Sequence, residues 1–127
     1  MKEFMLYIRN GKDAKSSLST GEHHEFIKKC EVYITFLKNK NKLIAAQPLL
    51  MEGVFITKPD NKWVVDDIET ESENLVGYYH ILAEDIDEAI KIAIENPEFE
   101  YVQSASIEVR QIKTKESETG FIYPTGQ

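Results

Sequence analysis

Residues 77–112, GYYHILAEDIDEAIKIAIENPEFEYVQSASIEVRQI, predict a strand, an amphipathic helix and a second strand. Asp85 is placed to cap the helix, because its carboxylate can accept hydrogen bonds from the backbone N–H groups of a first turn that starts at Ile86. The helix should end before Pro97, since proline restricts the residue before it and cannot continue the hydrogen-bond ladder. Polar and apolar side chains alternate over residues 105–110, which is typical of a half-buried strand.

The helix within this segment carries one apolar stripe, and charged residues occupy its other side. The members of the stripe recur at intervals of three and four residues and are expected to be buried together: Ile86, Ala89, Ile90, Ala93 and Ile94. This helix should therefore lie with its single apolar face against a sheet.

The first half of the chain begins with the same order of elements. Alternating apolar side chains at Phe4, Leu6 and Ile8 predict a strand that ends at residues 10–11. Ser19 or Thr20 is expected to cap a long helix. The apolar stripe of that helix has six members: Phe26, Ile27, Cys30, Tyr33, Ile34 and Leu37.

A second strand is expected over residues 43–50. Pro48 indicates an edge or a bulge there, because proline cannot donate a hydrogen bond to a neighbouring strand. Residues 53–57 and 62–65 predict a short hairpin that turns at residues 59–61. Trp63 in this hairpin is expected to be a packing anchor or a lid over a cleft.

The order strand, helix, strand, inserted hairpin, strand, helix, strand predicts an α+β fold. It is the order of a ferredoxin-like β-α-β-β-α-β module, in which both helices cover one face of an antiparallel sheet. The expected domain spans residues 1–112, and residues 113–127 are expected to be a loosely attached polar C-terminal tail. A homodimer would cover the other sheet face, which should be partly apolar because it carries Met5, Tyr7, Leu43, Leu49, Tyr78 and Leu82.

The composition indicates one soluble domain. The 127 residues include 15 basic and 22 acidic side chains, and the formal charge of −7 argues against nucleic acid or an anionic membrane as a partner. No apolar run is long enough to span a bilayer, and the N-terminus lacks the features of a signal peptide. The single cysteine, Cys30, is expected to be a buried core thiol, which fits a reducing, cytoplasmic setting.

Three segments resemble the YCII-related family, in particular its longer branch with a DGPF motif. They are residues 1–9, MKEFMLYIR; residues 42–49, which lead out of the first helix into AAQPL; and residues 77–97, followed by SIEVRQI. The resemblance covers residues 1–112 and implies a dimeric α/β barrel formed by two such sheets. Biochemical activity is generally unestablished in this family, so the resemblance implies fold and assembly more than chemistry.

The sequence departs from that family at the positions that would carry chemistry. Shorter members have a histidine in the first helix and an aspartate before the proline that ends the second helix, a pair proposed to be an active site. The corresponding residues here are Cys30 and Asn96, so the acid/base pair is missing. The DGPF segment is reduced to Asp66, Asp67 and Ile68, which keeps the aspartate and makes Asp66 a ligand-binding candidate.

A candidate cleft follows from the expected strand order, in which the first strand lies between the strand of His80 and the last strand. That order would gather seven polar or aromatic side chains on the barrel side: Tyr7, Arg9, Tyr78, His80, Ser106, Glu108 and Arg110. His80 is the candidate catalytic residue, since histidine transfers protons, and the arginines could bind a carboxylate or phenolic ligand.

Other interpretations of these residues remain open. Glu108 and Arg110 are expected more often to form a structural or interface ion pair than a binding site. A register slip of one residue would turn His80 towards the helix-facing core.

Metal and cofactor motifs are not expected. His23 and His24 are adjacent in a helix, so their side chains point about 100° apart, and no further ligand lies at a suitable spacing. The acidic stretch of residues 66–73 could bind calcium weakly, but it lacks the glycine and spacing of a calcium loop, so a solvated loop is preferred. Gly-rich phosphate loops and nucleophile motifs are missing as well.

Two functions remain open from the sequence. In the first, a homodimer binds a small organic molecule in its barrel cleft and could be an enzyme that uses His80, Arg9 and Glu108. In the second, the chain is a non-catalytic accessory or ligand-sensing module, and its polar pairs only hold the dimer together.

Overall fold

The computed structural model describes residues 1–11, 17–68 and 73–126. This part of the chain contains six strands and three helices, in the order β1 (Lys2–Asn10), α1 (Thr20–Asn39), β2 (Leu43–Pro48), β3 (Val54–Thr57), β4 (Val64–Asp67), β5 (Asn74–Ala83), α2 (Ile86–Ile94), α3 (Glu98–Tyr101) and β6 (Ser106–Gln111). None of these helices has both the length and the apolar character needed to cross a membrane.

Four of the strands form one antiparallel sheet in the order β2-β5-β1-β6. Strands β3 and β4 pair separately as the predicted hairpin, which turns through Pro59–Asn61. β1 therefore lies between β5 and β6, and β2 is an edge strand, as the sequence predicted. The architecture is α+β and is compatible with a ferredoxin-like fold.

Both long helices begin at the predicted caps. Of the two candidates for α1, Ser19 is the cap: its hydroxyl accepts from the Glu22 N–H at 3.1 Å, and the Glu22 carboxylate accepts from the Ser19 N–H at 3.0 Å. The hydrogen bond from the Ser19 backbone N–H lowers the pKa of Glu22, and the Ser19 hydroxyl makes a smaller contribution in the same direction. The Asp85 carboxylate accepts from the Glu88 N–H at 2.9 Å, and α2 starts at Ile86.

The hydrophobic core lies between the helices and one face of the sheet. Phe4 and Leu6 of β1 and Ile81 of β5 are completely buried there. Side chains of both helices pack on them, among them Tyr33, Leu37, Ala89, Ile92 and Ala93. The alternation in β1 and β5 therefore separates a helix-covered face from an open face, as the period-two pattern predicted.

The predicted stripe of α2 is only partly right. Ala89 and Ala93 are buried, and so is Ile92, which the sequence prediction left out. The isoleucines of the predicted stripe are 45%, 41% and 66% exposed: Ile86, Ile90 and Ile94. The face of α2 that lies towards the sheet therefore contains Ala89, Ile92 and Ala93, and the other three isoleucines turn to the outside.

The register of β2 differs from the alternation assumed in the sequence prediction. The pairing with β5 is irregular between Leu43 and Ala45, and Leu43 pairs with Ile81 and packs against the core. The prediction that Leu43 lies on the open sheet face is therefore wrong, because the irregularity at Ile44 shifts the pattern by one residue. Leu49 lies beyond the end of β2.

Residues 113–126 fold back against the sheet. The Ile112 N–H donates to the Glu3 carbonyl at 2.8 Å, and Lys115 and Ile122 pair as an isolated bridge. The Gly126 N–H then lies 3.4 Å from the Glu3 carboxylate, and Gly126 approaches Ile44 so closely that a Cβ there would clash. The hydrogen bonds described for residues 114–123 stay within the segment, and Gly126 reaches β1 through the Glu3 side chain. The loose attachment of this segment stays a prediction.

The hairpin of residues 54–67, called the arm below, projects its apolar side chains outward. The arm residues Val54, Phe55, Ile56, Trp63 and Val65 are 52–70% exposed. Trp63, at 70%, is therefore not a packing anchor within the chain, and the Lys58 ammonium lies 4.8 Å from its ring. A two-stranded hairpin is at best marginally stable in water by itself.

Candidate functional site

A cavity of about 390 Å³ lies between α1 and the sheet, over β2 and β5. Cys30 and Ile34 line it on the helix side, while Ala46, Val76 and Gly77 line it on the sheet side. Most of this wall is apolar. Asn96 and Glu98, from the residues after α2, line what is called its closed end below, and an apolar wall with a few polar groups is typical of small-molecule pockets.

Small residues on the sheet create this space. A Cβ at Gly77 would lie 2.9 Å from the Gln47 carbonyl oxygen and 3.3 Å from the Pro48 Cα, so only glycine permits β2 to approach β5 here. Ala46, next along β2, presents a single methyl group. With Cys30 opposite, three small residues lie around a region that a close-packed interior would fill.

Helix α3 holds the first half of α1 above the cavity. The Lys29 ammonium lies 2.6 Å from the Glu100 carboxylate, and the Tyr101 hydroxyl donates to Glu25 at 2.6 Å. The ring of Tyr101 also packs edge-on against Phe26, with the ring centroids 5.5 Å apart. The hydrogen bond from Tyr101 lowers the pKa of Glu25, which keeps this carboxylate ionised opposite Lys29.

Asn96 is the central polar group at the closed end. It is 3% exposed, and its Oδ1 accepts from the backbone N–H of Glu98 at 2.9 Å. Its Nδ2 is buried without a hydrogen-bond partner in the described part of the chain. The Glu98 side chain, 4% exposed, lines the cavity beside it. A buried amide nitrogen without a partner is costly, so a ligand acceptor would satisfy it.

Two tyrosines stand close together near Asn96, with ring centroids 5.6 Å apart. The Tyr33 hydroxyl donates to the Ile92 carbonyl, whereas Tyr79 lines the cavity. Burial raises the pKa of both phenols, and in Tyr79 the nearby Asn96 amide opposes this rise only in part. Both hydroxyl groups therefore keep their protons near neutral pH.

Cys30 is only partly buried and lines the cavity, so the prediction of a buried core thiol is wrong. The reason is the short side chains opposite it, which leave the space open. Cys30 and Asn96, the two positions at which the sequence departs from the proposed active-site pair of the YCII-related family, line the same cavity.

The predicted cleft residues lie on the opposite face of the sheet. Tyr7 stands between Tyr78 of β5 and Glu108 of β6, because it pairs with both. The Arg9 guanidinium lies 2.8 Å from the Glu108 carboxylate, and the Arg110 guanidinium lies 3.7 Å from it. Both arginines and Glu108 are thus brought together, and their charges already face each other.

His80 lies on this face but has a different partner. Its Nε2 is 2.7 Å from the Glu3 Oε1, and the side chains are 17% and 1% exposed. The sequence prediction did not include Glu3. This residue is hard to recognise as a partner because it lies next to the apolar alternation of β1. The folded-back segment around Gly126 is what encloses it.

The remaining candidates lie elsewhere. Asp66 belongs to the arm, which is a separate two-stranded sheet, and is exposed. Of the acidic stretch of residues 66–73, residues 69–72 lie outside the described part of the chain.

His23 lines the cavity. Within the described residues, no group of three or more His, Cys, Asp and Glu side chains is arranged to hold a metal ion.

Sequence reasoning did not identify Tyr79 and Glu98 as site residues. Tyr79 carries a faint signal, since it is a hydroxyl-bearing residue on the strand face that otherwise holds Gly77, Ile81 and Ala83. Glu98 carries none, because a glutamate after Pro97 normally lies in solvent, and here α3 turns it inward.

The sequence matches no protein-family model, and no curated protein is similar to it at a significant level. A fold of this kind hosts many unrelated functions, so the function has to be argued from the site itself.

Proposed function

We propose that the protein binds a small organic molecule in the cavity between α1 and the sheet. The observation that carries this proposal is the buried Asn96 Nδ2, which lines the cavity and has no partner among the described residues. The volume of about 390 Å³ lies within the range of roughly 300–1,000 Å³ that ligand pockets occupy. An apolar wall with a few convergent polar groups adds to this support.

The open sheet face is a weaker candidate for the ligand. Arg9 and Arg110 already face Glu108, and His80 is held by a carboxylate that is 1% exposed. A ligand would have to break these pairs before it could use them. We therefore assign these residues to holding the sheet face together, and the proposal includes no catalytic step.

A matched pair of substitutions in β2 tests the binding proposal. Ala46 lines the cavity, and the neighbouring Ala45 pairs with His80 and faces the other side of the sheet. Ala46→Phe fills the cavity, whereas Ala45→Phe leaves it open. Melting temperatures would be measured for wild type and both variants against a panel of neutral, cationic and anionic aromatic and aliphatic compounds.

At least one class of compound is expected to raise the melting temperature of wild type and of Ala45→Phe, but not of Ala46→Phe. The same compound should slow the reaction of Cys30 with N-ethylmaleimide, since the thiol lines the cavity. Ala46→Leu, a smaller change, serves if the phenylalanine variant does not fold. No response to any compound, or an equal response in Ala46→Phe, would show that the cavity is not the site.

The second candidate function is an interaction module, and the exposed arm favours it. We infer that the partner is a second copy of the chain, which would complete the dimeric α/β barrel that the sequence resemblance implies. The apolar arm side chains expose roughly 600 Å², so two arms in a symmetric pair would bury about 1,200 Å² of arm surface, enough for a specific interface. The exposed Asp66 also complements Arg110, whose side chain is 71% exposed.

Light scattering after size exclusion tests this assembly. The wild type is expected to be a dimer at micromolar concentration, and Phe55→Ser with Trp63→Ser is expected to be a monomer with an unchanged circular-dichroism spectrum. Val32→Ser is the control, because Val32 is 69% exposed on α1, away from the arm. A monomeric wild type would end the assembly proposal and leave the cavity proposal untouched.

A further inference from the structure

The orientation of the Asn96 amide determines what the cavity can recognise. Its oxygen accepts the Glu98 N–H at 2.9 Å, which fixes the nitrogen on the other side of the group. An amide nitrogen carries two N–H donors and no acceptor. The closed end of the cavity therefore offers hydrogen-bond donors at this position, and a ligand must bring an acceptor.

Tyr79 adds a second donor. Its hydroxyl is buried near the Asn96 amide, and burial raises its pKa, so the proton stays on the oxygen at neutral pH. The neighbouring Tyr33 uses its own hydroxyl on the Ile92 carbonyl and does not compete. One acceptor atom of a ligand can thus meet two donors, a pattern that suits a carbonyl oxygen with its two lone pairs.

The charges around the cavity disfavour an anion. Two carboxylate side chains, Glu31 and Glu98, line it, and no lysine or arginine does so among the residues that the structure describes. The whole chain carries a formal charge of −7. A carboxylate or phosphate ligand would lose its hydration and meet like charge, and His23 is the one basic side chain among the described residues that line the cavity.

We propose that the ligand is a neutral, largely apolar molecule with a carbonyl oxygen, which accepts hydrogen bonds from Asn96 Nδ2 and the Tyr79 hydroxyl. This inference rests on the proposed function and specifies the ligand class of the same cavity. The apolar part of the ligand packs against Ile34, Ala46 and Val76. Ketones, amides and lactones fit this description, whereas carboxylates of the same shape do not.

Two isosteric compounds test the ligand class. Acetophenone and benzoate share the phenyl ring and the carbonyl position, and they differ in a methyl group against a charged oxygen. Titrations at pH 7 would follow the backbone amide resonances of α1, β2 and β5 by NMR. Acetophenone is expected to shift resonances of residues around the cavity with a Kd at least tenfold lower than that of benzoate.

Two variants locate the recognised oxygen. Asn96→Asp keeps an acceptor for the Glu98 N–H and replaces the donor by a carboxylate, so it should weaken acetophenone binding at least tenfold. Tyr79→Phe removes the second donor and should weaken binding severalfold, and it carries the test if Asn96→Asp does not fold. Binding within twofold of wild type in both variants would overturn the assignment of these donors.

The outcomes separate this inference from the function on which it rests. Benzoate that binds in the cavity as tightly as acetophenone overturns the neutral ligand class and leaves small-molecule binding intact. The same holds if acetophenone fails while a charged member of the panel binds. If no compound of any class binds in the cavity, the proposed function itself is wrong.

Discussion

Replacing His80 by alanine should destabilise the protein markedly, although His80 lies on a partly open sheet face. Its Nε2 is 2.7 Å from the Glu3 carboxylate, whose side chain is 1% exposed. The substitution His80→Ala leaves that carboxylate buried without this partner. The Gly126 N–H, 3.4 Å away, is too distant to replace the lost contact fully.

The size of the effect follows from the burial of the pair. Removal of one partner from a hydrogen bond to a buried carboxylate costs about 1–3 kcal/mol or more, because the carboxylate stays buried and loses that contact. The neighbouring Gly126 N–H keeps part of the stabilisation, so a loss of about 2–3 kcal/mol is expected for His80→Ala. For a chain of this length that loss lowers the melting temperature by roughly 10 °C.

Urea unfolding at pH 7, followed by far-UV circular dichroism, measures the difference in unfolding free energy. The matched control is Arg9→Met, which breaks the Arg9–Glu108 pair on the same sheet face. The side chains of that pair are 33% and 43% exposed, so its loss should cost less than about 1 kcal/mol. The double variant Glu3→Gln with His80→Ala should be less destabilised than the two single effects combined.

A loss of less than about 1 kcal/mol in His80→Ala, similar to that in Arg9→Met, would refute the reasoning, since the buried pair would then behave like an exposed one. A large loss together with unchanged binding of cavity ligands would support a structural role for His80. Loss of ligand binding with unchanged stability would instead favour the catalytic role that the sequence suggested.

Three further predictions concern titration and packing. Burial raises the pKa of Tyr33 and Tyr79, so the stability that these phenols contribute to the folded protein is full below about pH 10 and is lost as the pH rises further. Ultraviolet titration should show both phenols ionising only when the protein unfolds. The Glu84 backbone N–H and the Lys42 ammonium lower the pKa of Glu88, so the stability that Glu88 contributes is present above its ordinary pKa and is lost as the pH falls. Glu88→Gln should therefore flatten the acid limb of the stability curve. Gly77→Ala should cost about 1–3 kcal/mol in urea unfolding, because its methyl would meet the Gln47 carbonyl.

The elements with local chemical signals could be predicted from the sequence. The caps at Ser19 and Asp85 and the turn at Pro59–Asn61 depend on residues within a few positions of each other. The strand order followed from the order of elements and the rules of sheet topology. These features need no knowledge of distant contacts.

The features that failed depend on contacts between distant segments. The core position of Leu43 depends on an irregularity in the pairing with β5, and the burial of Ile92 depends on how α2 rests on the sheet. The enclosure of Glu3 depends on a segment more than one hundred residues away. Periodicity describes a single element and contains no information about these contacts.

The cavity was hidden from the sequence for a related reason. It exists because Ala46, Gly77 and Cys30 face one another across two strands and a helix. Each of these residues is unremarkable by itself. The sequence prediction therefore placed the site on the face with the charged residues, whereas the unsatisfied polar group lies on the face that looked like core.

The two edges of the main sheet are unequal, and this limits how copies of the chain could polymerise. The edge at β2 is irregular at Ile44 and ends in Pro48, which has no N–H to donate. The edge at β6 has no such obstruction within the described residues. Head-to-tail addition of sheets requires both edges, so strand pairing through β6 would stop at two molecules and could not grow into a filament.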